Sequence, residues 1–131
     1  MEDNFSKVKD YLLELGHTIT FEDMEDGVIV VENEESGIKN LVLGIADPIL
    51  IVEQYIFEIK NGAADTYLKL LQMNRDFIHG AFAVDESGRK VLFRNTHELE
   101  NLDLNELEAT INSLALLLSE HSRQIISLSA V

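Results

Sequence analysis

The sequence predicts an α+β fold in the order helix, antiparallel meander, helix, β-hairpin and long C-terminal helix. Three observations carry that prediction. Apolar residues between Phe5 and Leu15 recur at helical spacing, β-rich runs between His17 and Ile59 are divided by tight turn signals, and a three-four apolar stripe runs from Leu104 to Leu128. One domain, residues 1–131, accommodates all of it.

Taken in order, Phe5, Val8, Leu12 and Leu15 form one stripe of a short helix, with Asp3 or Asn4 placed to cap it and Gly16 placed to end it. His17 to Glu22 then reads as a strand, and Asp23-Met24-Glu25-Asp26-Gly27 as a turn before Val28 to Val31. Glu34-Glu35-Ser36-Gly37 turns the chain again. Ile38 to Ala46 and Ile49 to Ile59 are longer strands on either side of Asp47-Pro48, whose proline cannot donate to a ladder. Alternation in the fourth strand places Ile49, Ile51, Tyr55, Phe57 and Ile59 on one side and Leu50, Val52 and Ile56 on the other, so neither face is cleanly polar. Something besides a single helical layer must therefore shield part of this sheet.

Asn61-Gly62 breaks the strand, and Ala63 to Met73 forms the second helix, with Ala64, Tyr67, Leu68 and Leu71 near one face. Asn74 ends that helix, Ile78 to Val84 alternates, and Glu86-Ser87-Gly88 turns a hairpin into Val91-Leu92-Phe93-Arg94. Gly80, inside the alternating run, implies a bend or a close approach by a helix or another backbone. In the last helix Asp103 is the N-cap, with Glu106 three residues on. Its stripe is Leu104, Leu107, Ile111, Leu114, Leu118, His121, Ile125 and Leu128, with Leu116 and Leu117 widening the apolar surface. Two courses are open. The helix runs unbroken for about 37 Å at roughly 1.5 Å per residue, or it ends near His121 and the tail folds back or frays.

Composition narrows the function. With 24 acidic against 10 basic side chains the net charge is −14, which repels phosphate backbones and anionic lipid. Nucleic acid is not an expected partner, and no apolar run approaches the length that membrane insertion requires. The absence of cysteine removes disulfides, thiolate nucleophiles and Cys-based metal sites. An acidic start, Met1-Glu2-Asp3-Asn4, lacks the apolar region of a signal peptide, so a cytoplasmic location is expected.

Candidate chemistry thins out on inspection. Asp23, Glu25 and Asp26 fail the EF-hand spacing, since Met24 falls on a ligand position and Asn33 where a bidentate glutamate is needed; a solvated turn is expected. His17, His79, His97 and His121 form no pair at helical metal-ligand spacing, and no metal or cofactor is expected. No Gly-x-Ser-x-Gly elbow and no glycine-rich phosphate loop occurs, so the chain is not expected to be an enzyme. Arg75, Arg89, Lys90 and Arg94 concentrate basic charge around the hairpin; compensation by Asp76, Asp85 and Glu86 is the simpler account, and an anionic ligand the alternative.

Leu70-Leu71-x-Met73-Asn74, Gly80-x-Phe82-x-x-Asp85-x-x-Gly88, Val91 and Leu102-Asp103 together resemble the YbjN-domain family, whose fold is shared with class I type III secretion chaperones of the Tir/CesT kind. The element order agrees over roughly Phe5 to His121. The resemblance implies a small acidic homodimer that binds another protein along apolar patches and strand edges. The expected function is thus a non-enzymatic protein-interaction module with chaperone-like architecture, its surface including Ile51, Tyr55 and Phe57 on the sheet and Leu116 and Leu117 on the helix. The alternative is a small anionic-ligand sensor using Arg75, Arg89 and Arg94.

Overall fold

The computed structural model describes residues 2–60 and 64–130. The first helix, α1 (Glu2–Glu14), buries Phe5, Val8 and Leu12, the stripe its spacing specifies. It ends in a Schellman motif: His17 N–H donates to Leu12 O at 3.1 Å and Gly16 N–H to Leu13 O at 3.1 Å, with Gly16 at φ +85°. Its start differs from expectation. Asp3 and Asn4 lie inside the helix rather than ahead of it, and the Asn4 side-chain amide donates to Asp47 Oδ1 at 2.6 Å, tying the helix to a distant turn.

Six strands follow the chain as β1 (Thr18–Asp23), β2 (Val28–Asn33), β3 (Ile38–Ala46), β4 (Ile49–Glu58), β5 (Ala81–Val84) and β6 (Lys90–Glu98). They form one antiparallel sheet in the order β1-β2-β3-β4-β6-β5. The first four are the predicted meander. After β4 the chain leaves through α2 (Ala64–Met73), and the β5–β6 hairpin returns with its second strand against β4, so β5 becomes an edge. The predicted break at Asn61-Gly62 and the first residue of the predicted second helix, Ala63, lie outside the described residues.

One face of the sheet carries the core. Ile29 and Val31, Leu41, Leu43 and Ile45, Leu50 and Val52, Phe82, Val91 and Phe93 are buried together with the apolar stripes of the helices. Here the predicted phase of β4 needs correction. The register against β6 shifts between Tyr55 and Phe57, a bulge that inserts one residue and reverses the alternation beyond it. Phe57, which pairs with Val91, and Ile59 therefore join Leu50 and Val52 in the core instead of sharing a face with Ile51 and Tyr55.

The predicted face of α2 is also reversed. Thr66, Leu70 and Met73 are buried, whereas Tyr67, Leu68 and Leu71 face outward. The helix has apolar residues on both sides, so helical periodicity alone does not select the inner one; the position of β5 does. Asn74, in the short 3-10 turn Asn74–Asp76 that follows, clasps that strand. Phe82 N–H donates to Asn74 Oδ1 at 2.7 Å, and Asn74 Nδ2 donates to Phe82 O at 3.3 Å, so a side chain supplies the hydrogen bonds a neighbouring strand would make. Gly80 enters β5 at φ +80°, where a Cβ would stand 3.3 Å from the Arg94 backbone oxygen and 2.4 Å from the Phe93 ring, a side chain rather than the helix or backbone alone that the sequence implied.

At the C-terminus, α3 (Leu104–Glu120) is capped as predicted, Glu106 N–H donating to Asp103 Oδ1 at 2.8 Å. It buries Leu107, Thr110, Ile111, Leu114 and Leu117. The helical course breaks at His121, and the tail continues as α4 (Ser122–Ala130), which brings Leu128 back to the core. A polar cluster fixes α3 on the sheet: Asn95 Nδ2 donates to Thr110 Oγ1 at 2.9 Å, and His97 Nε2 lies 2.8 Å from the same hydroxyl. With His97 neutral and its proton on Nδ1, Thr110 O–H donates to Nε2, and every member is satisfied. Burial holds the His97 pKa below its usual value, opposed by Glu106 and aided by His79; burial does the same to His17.

Two outcomes are expected. Gly80→Ala combines a left-handed backbone with a ring clash and should cost about 2–5 kcal/mol in urea unfolding; a loss below about 0.5 kcal/mol would contradict the observed packing. For His97 the sign follows from linkage: a folded pKa below the unfolded value, about 6.5, means that the unfolded chain binds more protons. Its contribution is complete above that value and is lost as pH falls through the lowered folded one. His97→Gln should therefore flatten the fall in unfolding free energy between about pH 7.5 and 5 relative to wild type. Parallel profiles for the two proteins would refute this.

Candidate partner-binding surface

Among the described residues no helix stripe packs on the face of the sheet opposite the core. Cross-strand register aligns its side chains in a row that spans the whole sheet: Phe21 beside Val30, Val30 beside Val42, Val42 beside Glu53, Glu53 beside Arg94, and Arg94 beside Ala81. Adjoining rows add Val28, Gly44 and Ile51, then Ala46 and Ile49, then Tyr55, Leu92 and Ala83. Phe21, Val42, Ile49 and Tyr55 are exposed, Phe21 at 54% and Tyr55 at 52%, and none of these outer-face residues joins the buried core cluster. An apolar surface extending over all six strands exceeds the scattered exposure ordinary for a soluble protein.

Its charge is one-sided. Glu53 is bridged to Arg94 at 2.6 Å. Asp23, Glu32, Glu58 and Glu98 stand at the margins in the same strand phase, with Lys90 the other cation there. The face thus consists of apolar rows interrupted on β4 and β6 by the neutralised Glu53–Arg94 pair, with a net acidic rim.

The residues proposed from sequence do not form one surface. Ile51, half-buried, and Tyr55 lie on this outer face. Phe57 is in the core because of the bulge, and Leu117 is in the core because it faces the sheet one turn after Leu114; both are corrections to the expected surface. Leu116 is exposed on α3, on the other side of the sheet, where it lines a cleft of about 170 Å³ with Phe77, Ile78, His79 and His121. Arg75, Arg89 and Arg94 do not converge: Arg94 is engaged by Glu53 across the outer face, Arg75 lies in the turn after α2, and Arg89 sits beside the hairpin tip. Asp85, at that tip, accepts from Ser87 Oγ at 2.6 Å and from the backbone of Ser87 and Lys90. These hydrogen bonds, the Ser87 hydroxyl foremost, hold its carboxyl below the usual range.

A second apolar surface went unrecognised in the sequence. Tyr67, Leu68 and Leu71 of α2 are exposed, Leu71 at 67%, and Tyr67 and Leu71 border a cleft of about 260 Å³ with Phe82, Ala83 and Val84 of edge strand β5. The Tyr67 hydroxyl donates to Gly88 O at 2.6 Å, holding the helix to the hairpin tip. On the outer sheet face, Phe21, Val30 and Val42 were also missed. Their signal is the double phase of Val28-Ile29-Val30-Val31 and Leu41-Val42-Leu43, apolar on both faces of the strand.

Among the described residues no group of three His, Asp or Glu side chains is arranged to hold a metal ion, and no helix is long and apolar enough to cross a membrane. No curated protein matches the sequence. Solved structures do match in fold. YbjN from E. coli superposes with a TM-score of 0.68 at 8% identity, covering 92% of each chain. A chain of the HopA1-SchA chaperone-effector complex gives 0.64 at 13% identity, covering 100% of this chain and 98% of that one. A chain of the ExsC-ExsE complex gives 0.56 at 17% identity, covering 95% and 94%. These likenesses show a shared YbjN and type III chaperone-like fold, and since the CesT_Tir_1 family model matches residues 1–131, the chain belongs to the CesT_Tir_1 family.

Proposed function

We propose that the chain is a non-enzymatic, cytoplasmic protein-interaction module that holds a segment of a partner protein against the outer face of its sheet. The observation that carries this reading is the uncovered apolar face running from Phe21 to Ala81 across six strands. Its acidic rim favours a partner segment with apolar side chains flanked by Lys or Arg, since opposite charge steers encounter and like charge rejects other partners. Family membership and the chaperone-effector complex among the structural neighbours support a protein-binding role.

The same reading includes a homodimer, built through α2 and β5. Two copies, each with net charge −14, repel one another wherever carboxylates must meet. The outer sheet face brings five carboxylates to such a contact: Asp23, Glu32, Glu53, Glu58 and Glu98. The α2 surface has a single acid, Asp65, in its first turn, and its exposed Leu68 and Leu71 suit a self-complementary apolar contact.

Each half has its own test. Val42→Asp and Tyr55→Asp should abolish recovery of the native partner on tagged protein while circular dichroism and the melting temperature stay within about 3 °C of wild type. Undiminished recovery by both variants would refute the sheet-face assignment. Light scattering of the wild type at tens of micromolar should give a dimer, and Leu68→Glu with Leu71→Glu a folded monomer. A monomeric wild type, or a double variant that remains dimeric, would remove α2 as the dimer surface.

A further inference from the structure

A cleft of about 520 Å³ opens between α2 and α4, away from the outer sheet face. Lys69, Gln72 and Met73 come from α2, Asp76 from the turn that follows, and Arg123, Gln124, Ser127 and Leu128 from α4. Its volume lies in the range of small-molecule sites, about 300–1,000 Å³.

The lining inverts the charge of the molecule. The chain has 24 acids to 10 bases, but this cleft has two cations to one carboxylate. Among the described residues neither Lys69 nor Arg123 has a carboxylate within ion-pair distance, Asp76 included. Because ionic screening confines electrostatic influence to about 8 Å at physiological salt, the local sign governs a ligand in the cleft more than the distant surface acids do. Neutral donors are also in place. His121 Nδ1–H donates to Gln124 Oε1 at 2.6 Å, which occupies the acceptor end of that amide and leaves its NH2 group to donate. His121 is itself held edge-on against Phe77, with ring centroids 5.7 Å apart. The Ser127 hydroxyl and Gln72 amide have no hydrogen-bond partner among the described residues. Met73 and Leu128, 8% and 6% exposed, form an apolar floor.

We propose that this cleft binds a small organic carboxylate with an apolar body, its charged group held by Lys69 and Arg123 and its body lying on Met73 and Leu128. The site shares no residue with the outer sheet face or with the Leu68–Leu71 contact, although Lys69 and Gln72 adjoin that contact on α2. It also differs from an anion site at Arg75, Arg89 and Arg94, none of which lines this cleft.

Octanoate tests the site. Titrated into the full chain at neutral pH, it should raise the melting temperature saturably, by several degrees at about 10 mM, since a ligand of the native state alone stabilises it. Lys69→Ala and Arg123→Ala should each weaken binding about tenfold, the double variant should lose it, and Arg123→Lys should restore part of it. Octylammonium should give no shift, and Val42→Asp, which alters the exposed sheet face, should leave the octanoate response unchanged. No saturable shift with wild type, a shift that survives in the double variant, or an equal shift with octylammonium would each overturn the proposal. Inorganic phosphate matching octanoate would overturn the requirement for an apolar body.

Discussion

The pairing of β6 with β4 is the constraint on which the rest of the structure depends. The register runs from Ile49 opposite Glu98 to Glu58 opposite Lys90, joining the N-terminal meander to everything that follows α2. Because β6 enters between β4 and β5, the helix that precedes the hairpin must lie near the new edge, and α3 must approach the sheet over Asn95 and His97. The bulge near Ile56 belongs to the same ladder. It turns Phe57 into the core just where Phe82 and Val91 need a neighbour, and it leaves Tyr55 on the outside.

Much of this architecture was legible in the sequence, because it is encoded locally. Glycine and acidic turn residues divide the strands, Asp103 caps α3 through the bond its spacing predicts, and Gly16 ends α1 in the left-handed conformation expected of it. What was not legible depends on tertiary neighbours. A bulge adds one residue without a distinctive composition, so alternation carried past Tyr55 misplaced Phe57. In α2 the sequence Tyr67-Leu68-Lys69-Leu70-Leu71 offers apolar residues to either side, and only the position of β5 decides that Leu70 is inside. The candidate surface was half legible for the same reason: strands apolar in both phases announce an uncovered face but not which side the helices occupy.

Acidity has a spatial logic in this fold. Five carboxylates stand on or beside the uncovered sheet face, whereas α2 carries one acid and the α2–α4 cleft reverses sign. A net charge of −14 therefore describes the chain poorly at the scale of a contact, where screening limits each surface to its own few charged groups. Apolar surfaces that are bordered differently suit different occupants, and one small domain can keep several of them without confusing them.

The Asn74 clasp on Phe82 has a consequence for assembly. A sheet with two open edges can join head to tail, β5 of one copy to β1 of the next, and repeat without limit, which is the geometry of a fibre. With the outward hydrogen bonds of Phe82 already occupied by a side chain, β5 cannot serve as such a template at its centre. A single asparagine at the end of a helix thereby blocks head-to-tail strand addition at the middle of β5.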